Sequence, residues 1–235
     1  YADEWQRIWN LKLREHKIDI ERTMLFGQRA QVGGTNYSEG VVGHIIAEGA
    51  APTTDTTQLS YSEGKAYHKS IASGSMTYDN FLSDLEVVFD PARGGSSSKL
   101  ALCSLPVVSL FNKIGDGGFI DASIGGISNG SNRYNFERST GSFGHRVMKV
   151  ETVHGDLSLV KEPLFRGLSS TFMALVDLDH VSYRPLVGNG LNRDTHIITN
   201  VQQADEDLRK DMILTEAGLE ITLPETHALF NIEGA

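Results

Sequence analysis

The sequence predicts an α+β fold in which helices lead and strands follow. Trp5, Trp9 and Leu13 recur at i, i+4 and i+8, and Ile20 with Met24 resumes the stripe, the spacing of a long helix. In the second half Phe172, Ala174, Val176 and Leu178 alternate with Met173, Leu175, Asp177 and Asp179, which reads as a strand. No strand-helix-strand alternation and no internal repeat is visible, so the elements segregate as in the α+β class.

The opening helix is read from Asp3 to about Ala30. Asp3 and Glu4 sit in its first turn, where the helix dipole favours negative charge. Ile8, Leu11, Ile18 and Leu25 widen the apolar stripe to more than one side, and Lys17 with Glu21 makes an i, i+4 pair on the wet face. Gly27, Gly33 and Gly34 supply the stop. At about 1.5 Å per residue the helix is roughly 40 Å long, so its several apolar sides need more than one neighbour. A short helical piece follows near Val41 to Ile46, then a surface loop or extended arm over Ala50 to Thr57. Thr77 is placed to cap a second helix running to Phe89, with Phe81, Leu82, Leu85 and Val88 on one face. A third covers Leu105 to Ile114, with Pro106 in its first turn.

Gly115 to Asn132 reads as a loop or loose hairpin, and strands follow. Val147 to Val153 is the first, Phe172 to Asp179 the second and His196 to Val201 the third. Met212 to Thr215 and Leu219 to Leu223 are expected to pair around Gly218, and Leu229 to Ile232 closes the series.

The 235 residues suit one large domain or two small ones. Apolar runs are far too short for a membrane span, and no signal leader is readable. A start at Tyr1 rather than Met suggests a processed or truncated product. Thirty acidic against 21 basic residues give a net charge of −9, which argues against a general nucleic-acid binder. The single Cys103 excludes an internal disulfide and a multi-cysteine zinc site, and reads as a buried thiol in a reducing, cytoplasmic setting.

The chemical motifs are weak. Gly115 to Gly118 lacks the serine of a protease nucleophile loop, and Gly141 to His145 does not match a nucleophile elbow. His145 and His154, nine apart on one expected strand, would face opposite sides, and no metal-ligand spacing or cofactor fingerprint is present. Asp177 and Asp179 would share a strand face beside His180, as a solvated face, an intersubunit ion pair, or a cation or acid/base pair. Asp205 to Asp207 with Arg209 and Lys210 reads as a solvated turn.

Several passages resemble a known family. Ser142 to Val150, with Phe143-Gly144 leading into a strand, resembles a passage of tailed-bacteriophage major capsid proteins. Leu175 to Asp179 leading to Tyr183-Arg184-Pro185-Leu186, and Glu216 to Leu223 followed by Ala228 to Ile232, are similar to later strands of that family. The opening helix with Glu21-Arg22 looks like its spine helix, and Leu100 to Ser104 resembles a helix-entry passage of its axial domain. The family has the capsid fold of the Hong Kong ninety-seven type, shared by tailed phages, herpesvirus floors and encapsulin shells.

The resemblance implies a peripheral domain at 1–75 and 191–235 and an axial domain at 76–190. It implies a structural, non-enzymatic subunit that assembles with copies of itself into hexamers and pentamers around double-stranded DNA, without sequence-specific binding, cofactor, metal or membrane. Portal and decoration proteins would be further partners, and the place of action the virion capsid, assembled in the host cytoplasm. Trp5, Trp9, Glu21, Arg22, Asp177 and Asp179 are then candidate subunit-interface residues. The resemblance implies an N-terminal arm and an extended loop ahead of the spine helix, whereas the helix is read here from residue three. The alternatives are an encapsulin-type compartment shell, a hydrolase using Ser142, His145 and Asp177, or a β-rich surface or tail protein, which would lack the spine helix.

Overall fold

A computed structural model describes residues 2–49, 65–72, 74–111, 136–140, 146–188 and 191–233. In chain order these form α1 (Ala2–Phe26), β1 (Ala30–Val32), β2 (Thr35–Tyr37), α2 (Val41–Glu48), β3 (Tyr67–Ile71), α3 (Tyr78–Val88), β4 (Ser98–Cys103) and α4 (105–111). Then come β5 (Phe136–Thr140), β6 (Arg146–Glu151), β7 (Asp156–Lys161), β8 (Phe172–Val176), β9 (Val181–Pro185), β10 (Val187–Gly188), β11 (Leu191–Asn192), β12 (His196–Ile198), β13 (Met212–Leu214), β14 (Ala217–Ile221) and β15 (Ala228–Ile232). The class is α+β with a long N-terminal helix, as the periodicity predicts. Two compact units divide the chain: Tyr1–Gly43 with Ser182–Ile221, and His44–Val181 with Thr222–Ala235.

In the first unit α1 stops at Phe26, short of the Ala30 expected. The reason lies in two glycines. The Gly27 amide donates to the Thr23 carbonyl at 2.8 Å, and the Gly40 amide donates to the Gly27 carbonyl at 2.9 Å. A Cβ on Gly40 would lie 2.6 Å from the Leu25 carbonyl, so the returning chain meets the helix end backbone to backbone. Between them β1 and β2 pair across Gly33 and Gly34, both at positive φ, the geometry of a two-residue hairpin turn. The remaining strands of this unit form small ladders: β9 with β14, β10 with β11, and β12 with β13. The expected hairpin around Gly218 is therefore corrected. Met212 to Leu214 and Ala217 to Ile221 are both strands, but each pairs elsewhere, and Gly218 lies within β14 rather than at a turn.

The second unit is built on a seven-stranded mixed sheet ordered β3-β15-β8-β4-β7-β6-β5. β3 runs parallel to β15 and β4 parallel to β7, while the other neighbours are antiparallel. β15 and β8 are almost wholly buried, so the last expected strand is an inner one. α3 forms where predicted: the Thr77 hydroxyl accepts from the Asn80 amide at 3.3 Å, and the Phe89 amide closes the helix on the Leu85 carbonyl at 2.8 Å. Its apolar face packs Phe81 edge-on to Phe111 and Phe230, while Phe230 also meets Tyr67 edge-on. Cys103 is fully buried in this core, as expected.

Three readings change here. Strands β3 and β4 lie among the helices, so the order is not strictly helices first; the Leu100 to Cys103 stretch is itself strand, leading into α4. β8 ends at Val176, and Leu178 to His180 form a 3-10 turn capped by Asp177, so Asp177 and Asp179 do not share a strand face. β6 ends at Glu151, which leaves His154 in the turn before β7 and off any strand shared with position 145. The expected loops at 50–57 and 115–132, and the Gly141 to His145 segment, lie outside the described residues.

Candidate functional site

The aromatic stripe of α1 is the candidate surface that the sequence singles out. Burial of α1 is incomplete: Trp5, Ile8, Leu11 and Ile18 stay 38–43% exposed, and Trp9 is half-buried. Apolar side chains on a helix normally face a core. Here they point to several sides, and the unit covers only part of each. Trp5, Ile8 and Trp9 line a groove of about 380 Å³ with Asp211, Met212 and Ile213.

The groove wall is fixed by polar contacts within the same unit. The Arg209 guanidinium lies over the Trp5 ring at 5.0 Å and donates through Nε to the Asp211 carboxylate at 3.2 Å. The Asp211 carboxylate also accepts from the Asn200 amide at 3.1 Å. Further along, His16 Nε2 shares a hydrogen bond of 2.7 Å with the Thr215 hydroxyl. Arg209 makes these contacts while staying exposed, as the solvated charge run read from the sequence expects. Glu21 and Arg22 are exposed near the end of α1.

Asp177 is placed differently from the other candidates. It is fully buried in the second unit and faces the Lys99 ammonium at 3.1 Å, both side chains having no exposed surface. Its carboxylate also accepts from the Ser96 amide at 2.7 Å, the Ser96 hydroxyl at 3.1 Å and the Asp179 amide at 3.2 Å. Burial pushes this carboxyl up, but the Ser96 amide, Lys99 and the Asp179 amide together hold it below the usual carboxylate range. Lys99 donates in addition to the Thr226 carbonyl at 2.8 Å; burial draws its pKa down, against the opposing pull of Asp177. His227 Nδ1 accepts from the Asp177 amide at 3.1 Å, and burial, reinforced by Lys99, brings His227 down to about 4. Asp177 therefore braces the interior of its own unit, whereas Asp179 is exposed.

Sequence reasoning missed this cluster. Its one local signal was Lys99 interrupting an otherwise apolar strand. The same holds for Lys69, buried against Asp84 at 2.5 Å, whose carboxylate also accepts from the Tyr67 hydroxyl at 3.0 Å. Among the described residues no group of His, Cys, Asp and Glu is arranged to hold a metal ion. Ser142 and His145 lie outside the described residues, and Asp177, third member of the hydrolase alternative, is occupied by Lys99 and Ser96.

None of the curated proteins matches the chain. Among solved structures, a chain from Mycobacterium phage Patience aligns with 99% of this chain at 15% identity and a TM-score of 0.48, and this chain spans 66% of that one's length. A family model described as SU10 major capsid protein matches residues 1–233, covering both units, the α1 stripe and the Lys99–Asp177 cluster together. By that match, the chain belongs to the SU10 major capsid protein family.

Proposed function

We propose that this chain is the shell-forming subunit of a phage head, with copies of itself arranged as hexamers and pentamers that enclose double-stranded DNA. The observation that carries the reading is the family match over residues 1–233. The half-exposed aromatic stripe of α1 supports it, because a helix with apolar residues left partly bare on several sides suits a protein that neighbours complete. The role is structural rather than catalytic. Trp5, Trp9, Glu21, Arg22 and Asp179 are its proposed contact residues, and the net charge of −9 disfavours adhesion of the genome to the wall. In this reading the peripheral role belongs to 1–75 and 191–235 and the axial role to 76–190, and portal and decoration proteins dock on the finished shell.

The test is expression of the full gene product, followed by electron microscopy and nuclease digestion of the particles. Closed shells of uniform diameter built from this polypeptide support the reading, and nuclease-protected DNA in particles from the native source supports enclosure of the genome. A monodisperse monomer as the sole product refutes it.

A further inference from the structure

The second unit carries an apolar projection at one end of its sheet and a fitting hollow at the other. Leu168 is fully exposed, on the Gly167–Ser169 turn between β7 and β8. A lone exposed leucine is ordinary, but this one stands on a braced turn. Gly167 takes a positive φ of 62°, the Ser170 amide donates to the Gly167 carbonyl at 3.2 Å, and the Ser169 hydroxyl donates to the Arg166 carbonyl at 3.1 Å. Beneath the turn, Phe165 is buried and packs edge-on to Phe172 at 6.4 Å. The backbone that carries the side chain is thus braced, so little backbone ordering remains to be lost on contact. Lys161, Glu162 and Arg166 lie beside the turn; Glu162 is buried, its carboxylate accepting from the Leu164 amide at 2.9 Å, and the exposed charges are the basic Lys161 and Arg166.

The hollow has a volume of about 560 Å³. Val87, Phe89, Pro91 and Val153 supply its apolar lining, and Glu86 with Asp90 its acidic members. Arg93 and the exposed His154 complete the lining; Arg93 is buried and donates to the Glu225 carbonyl at 3.2 Å. Val153 is 91% exposed, on the turn joining β6 to β7. Projection and hollow therefore complement each other twice: a leucine against an apolar lining, and Lys161 with Arg166 against Glu86 with Asp90.

Their placement decides what kind of contact follows. β4 and β7 run parallel, paired from Ser98↔Asp156 to Cys103↔Lys161. The hollow lies where these strands begin, next to the Asp156 amide bond to the Ser97 carbonyl at 2.9 Å. The Leu168 turn follows where they end, past the Glu162 amide bond to the Cys103 carbonyl at 2.8 Å. Six residues at about 3.3 Å each put roughly 20 Å of strand between the two. Complementary patches on opposite ends of one body cannot satisfy each other within a subunit. Joined to each other they require further copies, head to tail, and such a contact closes into a ring when its rotation allows.

We infer that Leu168 of one subunit seats in the Val87–Phe89–Val153 hollow of the next, flanked by Lys161 and Arg166 against Glu86 and Asp90, as the repeating contact of a ring of this chain. The inference rests on the shell-subunit reading and names the surface that would build its capsomers. The occupant is a second copy because this chain itself presents the matching projection, of matching charge.

The test uses the full chain, with L168D and V153D as the two probes. Both positions are almost wholly exposed, so each variant is expected to keep the wild-type melting temperature. Each alone is expected to lose assembly at least tenfold by sedimentation velocity. Mixed, they still have one intact projection and one intact hollow between them, so dimers form but rings do not. In particles of an L168C/V153C double variant, a short bismaleimide should give a ladder of covalent oligomers, absent from either single variant; the native Cys103 is buried and silent. Wild-type-like assembly of L168D, or assembled double-variant particles that yield no ladder, overturns this contact and leaves the shell reading standing. A wild-type chain that never assembles removes both together.

Discussion

The Lys99 ammonium and the Asp177 carboxylate, 78 positions apart in sequence, lie 3.1 Å from each other with no solvent contact on either side chain. Taking two charges out of water is costly, and the pair persists because Ser96, Asp179 and Thr226 complete its hydrogen bonds. Removing one partner leaves the other charge enclosed. K99M is expected to destabilise the protein by about 3–5 kcal/mol. K99M/D177N, which removes both charges and keeps an acceptor for the Ser96 amide, should recover a large part of that loss. Denaturant midpoints of the three proteins check this; a double variant weaker than K99M contradicts it.

His227 makes stability depend on pH in a defined window. Burial and Lys99 hold it down to about 4, against 6.5 ordinarily, with Asp177 and His44 also acting on it. Below about pH 6.5 the unfolded chain takes up a proton that the folded chain refuses until about pH 4. Stability therefore falls as pH falls through that window, by on the order of 3 kcal/mol in total. H227N supplies an amide oxygen in place of Nδ1 and should flatten this slope. Thermal melts at half-unit pH steps from 7 to 4 measure it, and equal slopes in both proteins would refute the assignment.

Gly40 permits the backbone contact that ends α1. In G40A the new methyl would sit 2.6 Å from the Leu25 carbonyl, and backbone there has little room to move. A loss of about 3 kcal/mol is expected, at the upper end of overpacking. At Gly188 a Cβ would meet nothing within 4 Å, so G188A serves as the control and should leave the melting temperature unchanged.

Trp5 separates stability from assembly. Its ring is 38% exposed and its main polar contact is Arg209, a stacking interaction of about 1 kcal/mol or less at such a site. W5A should therefore melt within a few degrees of the wild type while forming markedly fewer particles by electron microscopy. Normal particle yield would remove Trp5 from the contact surface.

Elements with a strong local period could be read from the sequence. The α1 stripe, the Thr77 cap and the apolar run of β8 each need only near neighbours to be recognised. β3 and β4 escaped because Lys69 and Lys99 break the apolar pattern, and their counter-charges, Asp84 and Asp177, stand 15 and 78 positions away. The pairing error around Gly218 has a similar cause: nearness in sequence favoured a hairpin, while the actual partners are β12 and β9. Of the candidate surface, the aromatic spacing on α1 was legible. Leu168 was not, since exposure of a leucine depends on where the sheet leaves its flanking turn. Asp177 and Asp179 looked equivalent on a strand, and a single 3-10 turn sent one inward and the other outward.

The position of β15 has a temporal consequence. This strand lies between β3 and β8, and its Asn231 bonds to Ser70 across 161 positions of chain. A ribosome adding about 5–20 residues per second exposes β3 roughly 10–30 s before its partner emerges. Throughout that interval β3 has no strand to pair with, and for its last third β8, by then made, is open on one side. Nascent chains crowded on one message could exchange β15 with one another, so the cell has a reason to shield this sheet until translation has passed residue 232.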